Sequence, residues 1–331
     1  MPYPQFEGKH VHDALYSPND SLEYETRHGL GAFPAWDSAI LFYQRRLLQW
    51  VVQNEPTASR PGWWAGQTVF TLGGEDGRIA LVGDFGWGAP MAALVLERLG
   101  ALGVSRVVSI GTAGSLQRHI SIGHTVVCDR AVRDEGVSHH YLPPGQFAHA
   151  SPQLTARLHA AMDQSTLGAS WTIDAPFRET VEEARHYQEA GILCVEMEAA
   201  ALMAVAEVRG IQFATAFAIS DSLAELQWDP QFRAPETTEG LQRLSRRDRR
   251  TRVVAGGQRW PTAVARGRSR AASCGTSRRA DRTELLRPVT RDHPNTFRTV
   301  PLRSREASAS RPRRARSLGY GRPRTDGRAD R

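Results

Sequence analysis

The 331-residue chain has a formal net charge of +7, but residues 1–244 sum to −11 and residues 245–331 to +18, the latter with 25 Arg and no Lys. The basic balance therefore belongs to the last segment and says nothing in favour of a basic, nucleic-acid-binding body. Cys128, Cys194 and Cys274 are odd in number and widely spaced, which fits neither a disulfide framework nor a zinc site.

Residues 1–35 are polar, aromatic and turn-rich. The first twenty, MPYPQFEGKHVHDALYSPND, hold no apolar core of a secretory leader, and no later run approaches a membrane span, so the cytoplasm is the expected location. Residues 39–52 (AILFYQRRLLQWVV) have helical apolar spacing. Strands are predicted at 68–72 and 79–83, the second running into a glycine turn at Gly86 and Gly88. Pro90 starts a helix to 102 with a stripe of Met91, Leu94, Val95, Arg98 and Leu102. Further strands are predicted at 104–110 and 125–128, then a helix over 151–162 with Ser151 before Pro152. A short strand at 171–174 and a charged surface helix over 178–189 follow. No internal repeat is detected, and alternating strands and helices predict an α/β fold, a three-layer α/β/α sandwich around a mixed central sheet.

Residues 194–221 (CVEMEAAALMAVAEVRGIQFATAFAISD) carry the densest chemistry. Glu196, Met197 and Glu198 open an Ala-rich helix that Gly210 closes. Residues 213–219 form an apolar strand with Ser220-Asp221 at its carboxyl end, the edge where open α/β sheets place ligands. Acids in a first helical turn are also favoured by the macrodipole alone, by about 0.3–1 kcal/mol each. Asp221 also suits a cap. From the residues themselves, a polar small-molecule site and end-of-element charges remain alternatives.

Residues 235–244 start a last helix, with Pro235 near N1 and acids in the first turn. The apolar pattern stops at Leu244. Residues 245–331 are rich in Arg, Ser, Pro, Gly and Thr without apolar period, which predicts disorder. Clustered Arg fits an arm for nucleic acid, yet Trp260, Phe297 and Tyr320 stand far apart. With one Lys against 41 Arg in the chain, the segment reads more readily as the product of a shifted frame in a GC-rich gene.

VEMEAAAL followed by a strand ending in SD resembles the nucleoside phosphorylase superfamily of purine nucleoside phosphorylases, uridine phosphorylases and methylthioadenosine nucleosidases. FGWGAPMAALVLERLG, VVSIGTAGSL and AVRDEGVSHHYLP resemble further blocks of that family in the same order. The resemblance covers about residues 65–241 within an expected catalytic domain of residues 1–244. It implies a ribose site of Glu196, Met197 and Glu198, with His12 lent across a subunit interface, and a phosphate loop at Gly111 and Thr112. It implies Phe177 and Arg178 at the base and Asp221 as the acid at purine N7. Ser220 orients that loop, and Arg133, Ser138 and His140, which match the uridine phosphorylase pattern, play a supporting part. A helix-start charge is the alternative for Arg178.

The resemblance further implies a homo-oligomer that needs inorganic phosphate as co-substrate and no cofactor or metal. Two departures stand out. Ser109 occupies the position of a phosphate-binding arginine, and the family's Gly-Asp-Pro-x-x-Arg loop is missing after Asn19-Asp20, where Arg27 is the candidate substitute. The expected activity is phosphorolysis of a nucleoside's N-glycosidic bond to free base and ribose 1-phosphate. The alternatives are a nucleosidase using water, and a truncated inactive homologue or Arg-rich nucleic-acid binder. Membrane and nucleic-acid partners are not expected for the leading reading. A Rossmann dehydrogenase fits poorly, because Gly86 and Gly88 lack the third glycine.

Overall fold

The computed structural model describes residues 3–60, 67–73 and 77–246. All but the first two residues of the Arg-rich segment, with Cys274 and the expectation of disorder, lie outside the described residues. Along the chain run α1 (Pro18–Arg27), β1 (Ser38–Phe42), α2 (Arg45–Asn54), β2 (Thr57–Ser59), β3 (Thr68–Leu72), β4 (Ile79–Gly83) and α3 (Ala89–Ala101). Then come β5 (Arg106–Ser115), β6 (Thr125–Asp134), β7 (Phe147–His149), α4 (Pro152–Ala160), β8 (Ser165–Ile173) and α5 (Val181–Glu189). The last are β9 (Cys194–Glu196), α6 (Ala199–Arg209), β10 (Gln212–Ser222), β11 (Asp229–Pro230) and α7 (Pro235–Leu244).

The described strands form one mixed sheet in the order β11-β10-β6-β8-β9-β5-β1-β4-β3-β2, with β7 on β6. Because β10 also pairs with β5, the strands β10, β6, β8, β9 and β5 close into a ring. Period-two alternation then sorts side chains to the two faces. Leu41, Val107 and Phe213 pack with α3 and α6, whereas Ile40, Val108 and Ala214 pack with α2, α4 and α7. The expected three layers follow from that sorting.

Several local expectations need correction. Residues 38–42 are a fully buried strand between β4 and β5, and only 45–54 are helical. A short apolar run buried on both faces carries no period that separates strand from helix. The N-terminal stretch contains α1, held by a capping box between Ser17 and Asp20. In α3 the buried face is Ala92, Ala93, Val95, Leu96 and Leu99, while Leu94 is exposed. Arg98 on that helix is buried because it forms a bidentate pair with Glu25 of α1. Strands β5, β6 and β8 are longer than predicted, since ladder pairing carries them past the end of their apolar runs.

Candidate functional site

The acids of the VEMEAAAL run divide between two elements. Glu196 ends β9, Glu198 is the N-cap of α6, and both are buried. The Glu196 carboxylate accepts from the backbone N–H groups of Glu198 and Ala199, each at 2.7 Å, and from the hydroxyls of Ser170 and Thr172. It satisfies orphan donors at the start of α6. Thr172 also accepts from Ala200 N–H at 3.0 Å, so β8, β9 and α6 meet at one carboxylate.

Glu198 accepts from Gly88 N–H at 2.6 Å. Gly88 is the N-cap of α3 with φ 96°, a conformation that glycine adopts without strain, so the glycine turn docks on this acid. Burial, reinforced by Glu196, pushes the Glu198 carboxyl up to about 8. Burial also raises Glu196, against the hydrogen bonds it accepts. Met197, between the two, is half-buried.

Asp221 lies on β10 beside a register shift that follows Ile219, and it is buried. Its Oδ1 accepts from Ser220 Oγ at 2.8 Å and its Oδ2 from Trp228 Nε1 at 3.1 Å. The neighbouring residue on β5 is Gly114, where an added Cβ would stand 2.9 Å from Asp221 Oδ2. The carboxylate therefore rests on bare backbone. Burial raises the Asp221 carboxyl above its ordinary value.

The expected glycine loop is instead the end of β5, because Gly111 to Gly114 pair in parallel with β10. Thr112 Oγ1 accepts from Gln44 Nε2 at 3.1 Å, and the Tyr43 ring covers Gly111. Ser109 is buried and donates to the Tyr43 hydroxyl at 3.2 Å. Burial and the charges of the two glutamates raise the Tyr43 phenol well above its ordinary value. Gln44 Oε1 is buried without a donor among the described residues. Arg45 and Arg46 occupy the first turn of α2, immediately beyond Gln44, and Arg45 pairs with Asp84 at 2.6 Å. Arg27, by contrast, lies at the end of α1 beside Glu23 and is mostly exposed.

Phe177 and Arg178 form an exposed turn after β8, Phe177 being 99% exposed. Glu179, the next residue, is half-buried and lies within electrostatic range of Asp221. Arg133 spends its guanidinium on Ser138 Oγ and on the carbonyls of Ser138, Leu142 and Pro143, fixing the loop after β6. Ser138 N–H in turn donates to the Glu135 carboxylate. His140 contacts Tyr3 Oη and Lys9 Nζ through its two ring nitrogens, and His12 stands edge-on to Phe6 in the exposed N-terminal segment. Among the described residues, the side-chain hydrogen bonds of Glu198 and Asp221 run to Gly88, Ser220 and Trp228 and to none of these four. Cys128 and Cys194 are buried and free, and burial pushes the Cys128 thiol up to about 12. A separate cleft of about 600 Å3, lined among others by Asp129, His149, Thr155 and Glu207, shares no residue with the Glu198 and Asp221 cluster.

Tyr43, Gln44 and Glu179 escaped the sequence reading. The first two sat inside a segment read as helix, and Glu179 in one read as solvated surface. The available signal was positional: Tyr43 and Gln44 follow the carboxyl end of a buried parallel strand.

A mixed sheet in three layers with a buried acid pair at a helix start defines an α/β protein. The model of the Phosphorylase superfamily matches residues 48–247, more than half of the chain, and the chain belongs to that family. Guanosine phosphorylase of Halorubrum lacusprofundi is 30% identical over 141 residues, which are 41% of this chain and 58% of that protein. Uridine phosphorylase of Haemophilus influenzae is 37% identical over 90 residues, 27% of this chain and 36% of that one. The chain thus spans about a third to three fifths of the length of these two relatives. Among solved structures, a purine nucleoside phosphorylase from Toxoplasma gondii in complex with immucillin-H aligns with a TM-score of 0.59 at 19% identity, over 66% of this chain and 90% of that one. Uridine phosphorylase from Vibrio fischeri ES114 aligns with a TM-score of 0.55 at 23% identity over the same shares. These two likenesses concern the fold.

Proposed function

We propose that the protein is an enzyme that cleaves the N-glycosidic bond of a purine nucleoside with inorganic phosphate, giving free base and ribose 1-phosphate. The observation that carries the reading is the buried Glu198, anchored on the glycine turn and backed by a fully hydrogen-bonded Glu196. Glu198 grips the ribose hydroxyls, with Met197 against the sugar. Glu196 positions it by fixing the start of α6. Asp221, whose carboxyl burial raises above its ordinary value, donates to N7 as the base departs, and Ser220 holds its orientation. Phe177 and Arg178 lie against the base.

Phosphate is held by Thr112 over Gly111 and by the start of α2. Cations in a first helical turn are unfavourable unless an anion accompanies them. Asp84 accompanies Arg45, and bound phosphate supplies a second anion near Arg46. Arg133, Ser138 and His140 support the loop after β6. The enzyme needs no cofactor or metal in this reading and acts as a homo-oligomer. Exposed Phe6, Val11, Leu15 and Tyr16, flanking His12, are the apolar surface that a second copy covers.

A hydrolytic reading is favoured by the neutral Tyr43 and Ser109 pair and by the unmet acceptor of Gln44, which suits a water molecule. Chromatography of free base released from guanosine, inosine, adenosine and uridine, with and without phosphate, separates the two. Phosphate-dependent release is expected; equal release in both buffers overturns phosphorolysis, and none in either overturns bond cleavage.

A further inference from the structure

The cleft of about 600 Å3 lined by residues of α4 and α6 has no part in the proposed reaction, and it is of a size that suits a small molecule. Its α4 wall follows from local sequence. The helix opens at Ser151, whose hydroxyl accepts from Phe213 N–H at 2.9 Å instead of capping its own helix. One turn further on stands Thr155, which lines the cleft and is 4% exposed. A helical threonine ordinarily returns its hydroxyl to the carbonyl a turn earlier. Thr155 Oγ1 makes no such bond and has no partner among the described residues. A buried hydroxyl in that state calls for a partner from outside the chain.

Two carboxylates line the same cleft. Asp129 is the residue passed over by the register shift between Cys128 and Arg130, and a bulge of this kind re-aims its side chain. It pairs with Arg130 at 3.0 Å, which leaves Glu207 as the cleft's uncompensated charge. Glu207 lies in the last turn of α6, where the macrodipole disfavours an acid. It makes no ion pair among the described residues. Arg209 in the same turn is bound to Glu97 at 2.6 Å, and Arg133, which feels the Glu207 charge, is bonded to Ser138, Leu142 and Pro143. A cation from solution would relieve that position, whereas an anion would meet two carboxylates. Leu167, Met203 and Ile211 supply apolar wall.

We propose that this cleft binds a small organic cation, with an ammonium head at Glu207, an aliphatic body against Leu167, Met203 and Ile211, and a hydroxyl or carbonyl group meeting the Thr155 hydroxyl. The inference stands independently of the bond-cleaving reading. Its two polar contacts lie on different helices, so the charge-assisted one at Glu207 and the neutral one at Thr155 can be removed separately.

Met203 lines the cleft, whereas Met197 stands between Glu196 and Glu198, so methyl NMR of the methionines reports which site a ligand enters. The full-length parent, Glu207→Gln and Thr155→Val are titrated with three probes: terminal aminobutanol, butylamine, which lacks the hydroxyl, and butanediol, which lacks the charge. The expected result is saturable movement of the Met203 methyl, with aminobutanol binding on the order of tenfold tighter than either control. Glu207→Gln should erase the advantage over butanediol, and Thr155→Val the advantage over butylamine. Because the hydroxyl it removes has no partner, Thr155→Val should melt at or above the parent, which separates lost binding from lost folding. Absence of saturation at Met203, movement at Met197 alone, or an advantage that survives its variant overturns the inference, and none of these outcomes bears on nucleoside cleavage.

Discussion

Asp221 and Glu198 are both buried acids whose carboxyls burial raises above their ordinary values. Asp221→Asn keeps the shape and the Trp228 contact but removes the acid. Steady-state base release is expected to lose on the order of 10²–10⁴ in kcat with little change in KM; parent-like kcat would remove Asp221 from the reaction. Glu198 carries a consequence for stability as well. Folded, it keeps its proton up to about 8, whereas unfolded it releases it near the ordinary glutamate value of 4.5. Across that window the folded state binds more protons, so this residue's contribution is fully present below the lower value and is lost as pH rises through the upper one. Glu198→Gln has no proton to lose, and calorimetric melting should show it gaining stability relative to the parent from about pH 5 to about pH 9. A constant difference would contradict the buried, protonated state. Glu196 and Glu198 were legible because they crowd one short motif and Asp221 because it ends an apolar strand, while Glu179 was not, since a charged residue before a helix reads as surface.

At the level of elements, the site depends on close approaches that side chains would spoil. Gly114→Ala places a methyl group against Asp221 Oδ2 and 2.8 Å from Leu223 Cδ1, so Asp221 must shift. Activity should fall further than stability, as read by base release beside chemical denaturation. Glu196→Ala is expected to do the reverse of a purely catalytic change. It strips acceptors from two backbone N–H groups and two hydroxyls at the start of α6, and should lower unfolding free energy by about 2–3 kcal/mol. Most elements were readable where a period or a punctuating residue marked them, as with Pro90 in the first turn of α3, Gly210 after α6 and Pro235 in α7. Strand β1 was not, because five consecutive buried residues show no alternation. That error hid Tyr43 and Gln44, the residues that meet Ser109 and Thr112.

Over the whole chain, the basic residues gather past the family match. The family match ends at residue 247, and α7 packs Leu241 and Leu244 into the core formed with β10 and α4. The charge of +18 on residues 245–331 lies almost wholly past that point. Deletion of residues 247–331 should therefore leave base release unchanged, and a strict requirement for those residues would move part of the active unit into the basic segment. In the proposed reaction phosphate attacks a sugar held by Glu198 while Asp221 protonates the departing base. The most direct check is phosphorus NMR of the protein incubated with guanosine and inorganic phosphate. A growing ribose 1-phosphate resonance in step with free guanine is the predicted result; guanine with free ribose and unchanged inorganic phosphate would contradict it.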